Sequence, residues 1–292
     1  MKKKELPLQQ HYQISKYKIL VCGDPYCCRV VDENLWQFKS NDNRFTKSSK
    51  IIFSAKRHCV DIIIGNIDCF TLRLEFTRSK IIAVVDFVIS MLLIEEDYIM
   101  FHAGAICDSE RRSANAQSVK IVCGSAGSGK TVRVLRESNF IVDDILSDDK
   151  ILINVNLDII ALPRYLLLKY EDVIKKDIRA FCIRKITDYF KISVVDLVRK
   201  VLGLSYARRF FFRLFGNIKI PLQIKHKRNL ISEVLLPDSM TKDTIDLLSI
   251  QTEEFLVMFE EILSDSPPIM FEYKYKKIIN LNREICLKLK DL

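Results

Sequence analysis

The sequence predicts an α/β protein, with a small β-rich module over residues 1–78 and a larger core of strands and helices over residues 79–292. Three observations predict it. A β-branched run, SVKIVC (Ser118 to Cys123), leads straight into glycine-rich GSAGSGKT (Gly124 to Thr131), and a helical pattern beginning TVRVLRES follows. Three further runs, YKILVCG, VDIIIG and FTLRLEF, lie between Tyr17 and Phe76, with turn residues at Gly23–Asp24, Asn41–Asn43 and Gly65–Asn66. They are expected to form a small antiparallel sheet. Ser79 to Glu95 is an apolar stretch that reads as a buried helix; its apolar run is too short to span a bilayer and carries Asp86.

The glycine-rich octapeptide fits G-x-x-x-x-G-K-[ST] at every fixed position, in the strand–loop–helix context the motif requires. Its residue types follow from the chemistry of a polyphosphate. Gly124, Gly127 and Gly129 let the backbone turn tightly, so that the amides of Gly124, Ser125, Ala126, Gly127, Ser128, Gly129, Lys130 and Thr131 aim inward at an anion. The following helix adds unpaired N–H groups and the positive end of its dipole. Lys130 has the reach for the β- and γ-phosphates, and the Thr131 hydroxyl is a ligand for Mg²⁺. The chain has only 8 glycines in 292 residues and spends three of them here, which favours nucleotide binding over a chance match.

Composition narrows the rest. Lysine and arginine exceed aspartate and glutamate by 46 to 37, a formal charge of +9 that suits an anionic partner or simply a solvated basic face. Basic residues do alternate with aromatics in SYARRFFFRLFG, but no nucleic-acid-binding motif accompanies them, so no nucleic acid is expected as a partner. The nine cysteines include no C-x-x-C pair, so they read as reduced thiols rather than a zinc or redox site. The basic start MKKKELPLQQ has no apolar core behind it, so a signal peptide is not expected, and a cytoplasmic location is. The single Trp36 reads as core or edge packing. His58 beside Cys59 gives two ligands with no third nearby, a poor metal site.

In the core, DYIMFHAGAI (Asp97 to Ile106) reads as a strand, followed by a polar loop and the strand that delivers the phosphate loop. His102 is then placed on the neighbouring strand. Beyond the loop, Val132, Leu135, Ser138 or Asn139, and Val142 keep a helical spacing. Two acidic pairs follow, Asp143–Asp144 and Asp148–Asp149. The second breaks the apolar run ILSDDKILI, where buried charge needs a partner. Magnesium at a phosphate site would be one; the first pair reads as a polar turn.

These residues resemble the HPr kinase/phosphorylase superfamily, whose fold is related to phosphoenolpyruvate carboxykinase. FHAGA (Phe101 to Ala105), GSAGSGKT and SDDKILINVNLDIIALPRYLLL (Ser147 to Leu168) carry the resemblance, in that order, over about residues 80 to 170. It implies an HPr-kinase-like P-loop core and an ATP-dependent serine kinase acting on a peptide or protein acceptor. Shorter relatives include kinases that tailor ribosomal peptides such as lasso peptides. Carried over residue by residue, it implies that Lys130 holds phosphate, Thr131 and Asp149 hold Mg²⁺, Asp148 accepts the proton of the attacking hydroxyl, and His102 orients Asp148 or touches the γ-phosphate. With a longer spacing from Thr131 to Asp148 than the family's, Asp143–Asp144 stay as the alternative acids. A non-catalytic nucleotide switch or assembly protein, and a small-molecule kinase, are the competing readings.

Past the resemblance, residues 164–228 are strongly basic, with Arg208, Arg209 and Arg213 beside phenylalanines. IKIPLQIKHKRNLISEVLLPD reads as two strands about KHKRN, with His226 in the turn. MTKDTIDLLSIQTEEFLVMFEEILS reads as an amphipathic helix. FEYKYKKIINLNREICLKLKDL reads as a last strand and helix or a contact in a homo-oligomer.

Overall fold

The N-terminal strands alternate in the way that buries one face of a sheet. In β1 (Leu8–Ile14) Tyr12 and Ile14 are buried, and in β2 (Tyr17–Gly23) Tyr17, Ile19 and Val21 are. They form an antiparallel hairpin. At the end of β2 the Asp24 carboxylate accepts from the amides of Tyr26 and Cys27, and Pro25 opens helix α1 (Pro25–Leu35). The chain returns as β3 (Ser48–Ser54), which lies parallel to β2; β4 (Cys59–Ile64) and β5 (Asp68–Arg73) complete the sheet in antiparallel fashion. The strand order is β1-β2-β3-β4-β5. The module is therefore a mixed sheet with a βαβ crossover, not the purely antiparallel sheet expected. Both β1 and α1 escaped the sequence reading: LQQHYQI looks polar, and PYCCRVVDENL lacks a long apolar stripe.

The computed structural model describes residues 8–40, 48–54, 58–64, 68–112, 117–124, 128–139, 141–162, 165–168, 218–222, 229–236 and 269–292, with Ser193, Val194, Leu197 and Lys200 between them. The expected helix over 240–264, the Arg208–Arg213 cluster, His226, Pro163–Arg164 and Ser125, Ala126 and Gly127 of the loop lie outside the described residues.

Helix α2 (Arg78–Leu93) starts at Thr77, whose hydroxyl accepts from the amide of Lys80. It is buried on nearly every side from Val84 to Leu93 because it packs against α1, β4 and the next strand, β6 (Tyr98–Phe101). The apolar core is continuous across the N-terminal sheet, α2 and the second sheet.

The second sheet adds β7 (Ala103–Arg112), β8 (Gln117–Cys123), β9 (Ile145–Ser147), β10 (Ile151–Asn154), β11 (Asp158–Ala161) and β14 (Asn229–Leu235), in the order β6-β10-β11-β14-β8-β7-β9. Among the described residues the other two strands, β12 (Tyr165–Leu168) and β13 (Ile218–Pro221), pair only with each other. Thus IKIP and NLISEVL are both strands, but they sit in different sheets rather than in one hairpin. In the second sheet β8 and β14 are parallel and the other pairs antiparallel.

Two long bent strands contribute both ends of this order, β6 at one and β9 at the other. One runs through β6 and β7 and breaks at His102. The other runs through β9 and β10 and breaks at Asp148–Lys150. They pair in one register on either side of the break, with Phe101 opposite Ile151 and Ala105 opposite Ser147. The sequence reading as one strand each is thus corrected: each is two strands joined through a short unpaired stretch. Helix α3 (Lys130–Glu137) follows the loop and packs on β7 and β8. The final helix, α4 (Ile269–Asp291), lies against β6 and β10, where Lys288 donates to the carbonyl of Val155 at 2.7 Å. The C-terminal tail is one helix, not a strand and a helix.

Candidate functional site

The break in the paired ribbon faces the end of the glycine-rich loop. Three pieces of chain meet there: the loop's exit into α3, His102 between β6 and β7, and the Asp148–Lys150 bend between β9 and β10. A missing side chain permits the closeness. A Cβ on Gly104 would stand 2.4 Å from Val134 Cγ2 of α3 and 3.3 Å from the carbonyl oxygen of Ser147. Only glycine lets α3 settle on β7 this tightly, and that seating sets the height of the loop's last residues above the acidic bend. The sequence carried this signal in FHAGA, though the reading drew nothing from its glycine.

The loop leaves β8 at Gly124 and enters α3 through Gly129, whose φ of +92° belongs to the left-handed region that glycine adopts without strain. Lys130 is the first residue of α3. It is 7% exposed, and its ammonium donates to the carbonyl oxygen of Gly124 at 3.3 Å across the loop. The same ammonium lies 4.0 Å from Asp149 Oδ1. Burial lowers the Lys130 pKa, and the charges of Asp149 and Asp148 offset part of that effect.

The two acids are held differently. The Thr131 hydroxyl donates to Asp148 Oδ2 at 3.1 Å, and Asp148 is only 9% exposed. Its other oxygen, Oδ1, is buried with no hydrogen-bond partner among the described residues. Burial pushes the Asp148 carboxyl up to about 7, and the neighbouring charge of Asp149 adds to it against the pull of Lys130 and Thr131. His102 Nε2 donates to Asp149 Oδ1 at 2.6 Å, and about half of the Asp149 side chain (48%) is exposed. Partial desolvation would raise the Asp149 carboxyl. The bond from His102 and the charges of His102, Lys150 and Lys130 outweigh that and hold it well below the usual carboxylate range.

The structure therefore brings together Lys130, Thr131, His102, Asp148 and Asp149, with Gly124, Ser128 and Gly129 at the loop's two ends. Its pairing differs from the one the resemblance implied: Thr131 sits on Asp148 rather than Asp149, and His102 on Asp149 rather than Asp148. α3 ends early, because Asn139 turns left-handed at φ +49° and the Ser138 hydroxyl bonds back to Leu135. Asp143 and Asp144 fall in a single 3-10 turn before β9, with Asp143 exposed.

Other candidates separate from this cluster. Trp36 is 39% exposed, at the surface of the N-terminal module. His58 occupies a turn with positive φ beside buried Cys59. No group of three or more His, Cys, Asp or Glu side chains is placed to hold a metal among the described residues. The seven cysteines whose side chains are described are buried free thiols, and burial pushes Cys123, just before the loop, up to about 12. No helix among the described residues is long and apolar enough to cross a membrane.

No known protein-family model matches the chain. No curated protein matches it either.

Proposed function

We propose that this chain is an ATP-dependent phosphotransferase that moves the γ-phosphate to a hydroxyl, serine foremost, of a peptide or protein acceptor. One observation carries the reading: the exit of a G-x-x-x-x-G-K-T loop converges with a His102–Asp149 pair and a Thr131–Asp148 pair in a single gap between strands. Phosphoryl transfer asks a protein chiefly for positioning and charge neutralisation. This gap concentrates the groups that supply both. The finer assignment, an HPr-kinase-like core behind a β-rich module, follows from the same order of His-bearing strand, loop and double acid.

The residues fit magnesium. Asp148 presents a buried oxygen with no partner among the described residues, next to a threonine hydroxyl. Both are hard oxygen donors, and two protein donors suffice for an ion that keeps waters and substrate phosphates as its other ligands. Thr131 and Asp148 are the residues that would hold it. When bound, the ion supplies charge neutralisation at the β- and γ-phosphates.

The roles of the chain's own groups follow. Backbone amides of the loop and of the first turn of α3 bind the phosphates. The Lys130 ammonium exchanges its bond to the Gly124 carbonyl for phosphate oxygens. Asp149, the more exposed acid, faces the acceptor; it orients the incoming hydroxyl and receives its proton, and His102 fixes its carboxylate. This exchanges the roles that the resemblance alone gave Asp148 and Asp149. A carboxylate 9% exposed is poorly placed to meet a side chain arriving from solvent, whereas one about half exposed is well placed.

The test is transfer from γ-labelled ATP with magnesium to serine-containing peptides, comparing wild type with Asp149→Asn and Asp148→Asn. Asp149→Asn is expected to keep nucleotide and lose transfer. A wild type that binds ATP tightly but neither releases nor transfers phosphate would sink the kinase reading in favour of a nucleotide switch.

A further inference from the structure

Lys150 is the residue immediately after the two acids, and it is tied down at both ends. Its carbonyl oxygen accepts from the Ser147 hydroxyl at 2.8 Å and from the Leu162 amide at 3.3 Å. Its ammonium makes an ion pair with Asp86 Oδ2. Asp86 sits in the middle of α2, among Val84, Val85, Phe87 and Val88, all almost wholly buried. The pair is itself buried, the side chains being 13% and 6% exposed. Such pairs generally repay little in stability compared with an apolar pair of the same volume. A charge retained in the centre of an apolar helix therefore calls for another explanation.

The surroundings of Lys150 supply one. Its charge is felt by both Asp149 and Lys130. An unrestrained lysine at this position would have an obvious partner in the adjacent Asp149, which is the carboxylate that His102 holds. We propose that Asp86 is a positioning residue: by pinning the Lys150 ammonium to α2 it keeps that cation off Asp149, leaving the carboxylate to His102 and the acceptor. This rests on the phosphotransferase reading of the gap. It also gives α2, which packs on the N-terminal module, a direct hold on the acidic bend.

The experiment measures phosphate release from γ-labelled ATP with magnesium, water serving as acceptor, alongside affinity for a fluorescent ATP analogue. Asp86→Asn frees Lys150 and is expected to lower kcat at least tenfold while nucleotide affinity stays within threefold. Adding Lys150→Met removes the competing cation, so the double variant is expected to return to within threefold of wild-type kcat. Lys150→Arg keeps the pair and should retain kcat to the same degree. If Asp86→Asn fails to fold by near-ultraviolet circular dichroism, Asp86→Glu takes its place. It keeps the pair but moves the ammonium by a methylene, and kcat should fall severalfold at unchanged affinity. A purely structural pair would lower thermal stability and leave kcat per folded molecule alone. Unchanged kcat in the folded single variant, or no recovery in the double variant, overturns the inference while wild-type turnover leaves the proposed function standing. A wild type without nucleotide binding or turnover removes both.

Discussion

The hydroxyl of Thr131 donates to Asp148 at 3.1 Å, joining the first turn of the helix after the loop to a carboxylate 17 residues further along the chain. The contact fixes which of the two adjacent acids looks into the loop. With His102 on Asp149, it divides the acidic bend into an inner, buried member and an outer, half-exposed one. The expected behaviour of variants follows from that division.

Lys130→Ala is expected to abolish ATP turnover and remove the rise in melting temperature that ATP with magnesium gives the wild type. The apo protein should lose little, because the lysine is buried at a cost and its pKa is already lowered. Thermal denaturation with and without nucleotide checks both halves. A variant still stabilised by ATP as strongly as wild type would remove Lys130 from the phosphate site.

Asp148→Asn should make the apo protein more stable near neutral pH. The folded-state value is raised to about 7, so the folded chain holds a proton that the unfolded chain releases above about pH 4. Wild-type stability contributed by this group therefore falls as pH rises from about 4 to about 7 and is level beyond. The asparagine variant lacks that slope. Its advantage should be near zero at about pH 4 and reach an upper bound on the order of 4 kcal/mol at pH 8. Urea denaturation at the two pH values measures it.

Asp149→Asn should behave with the opposite sign. Its folded-state value lies below the ordinary carboxylate range, so it contributes stability above about pH 4 that is lost as pH falls through the folded value. The asparagine variant is expected to be less stable than wild type at pH 7 and to converge with it under acid. Equal stabilities at pH 7 would show that the His102 bond contributes nothing to the fold.

His102→Ala is expected to lower phosphate transfer by about 10²-fold with nucleotide affinity nearly unchanged, since the contact His102 makes is to Asp149, the acid assigned to the acceptor. Steady-state kinetics beside nucleotide titration separate the two effects. A loss confined to affinity would place His102 on the phosphates instead.

Gly104→Ala is expected to cost about 1–3 kcal/mol, the usual range for an overpacked core position. The added methyl would meet Val134 Cγ2, a side-chain atom, so Val134→Ala in the same chain should recover part of the loss. Thermal melts of the two single variants and the double variant give the coupling.

By itself the sequence determined the local chemistry. GSAGSGKT after a β-branched strand marks a loop and a helix start because glycine, lysine and threonine at those spacings have few other uses. Apolar ILSDDKILI showed that something must accommodate two acids. Those signals lie within a few residues of one another, and local sterics and solvation fix them. The partnerships were decided only in three dimensions. Nothing in the chain's order says that Thr131 takes Asp148 and leaves Asp149 to His102. That follows from both long strands breaking at the same level, and from Gly104 letting α3 down onto β7. The sequence reading used Asp86 only as a charge against a membrane span, because its partner, Lys150, lies 64 residues away. The parallel pairing of β2 with β3 was hidden for the same reason, since strand direction depends on how the intervening helix packs and not on the strands' own residues.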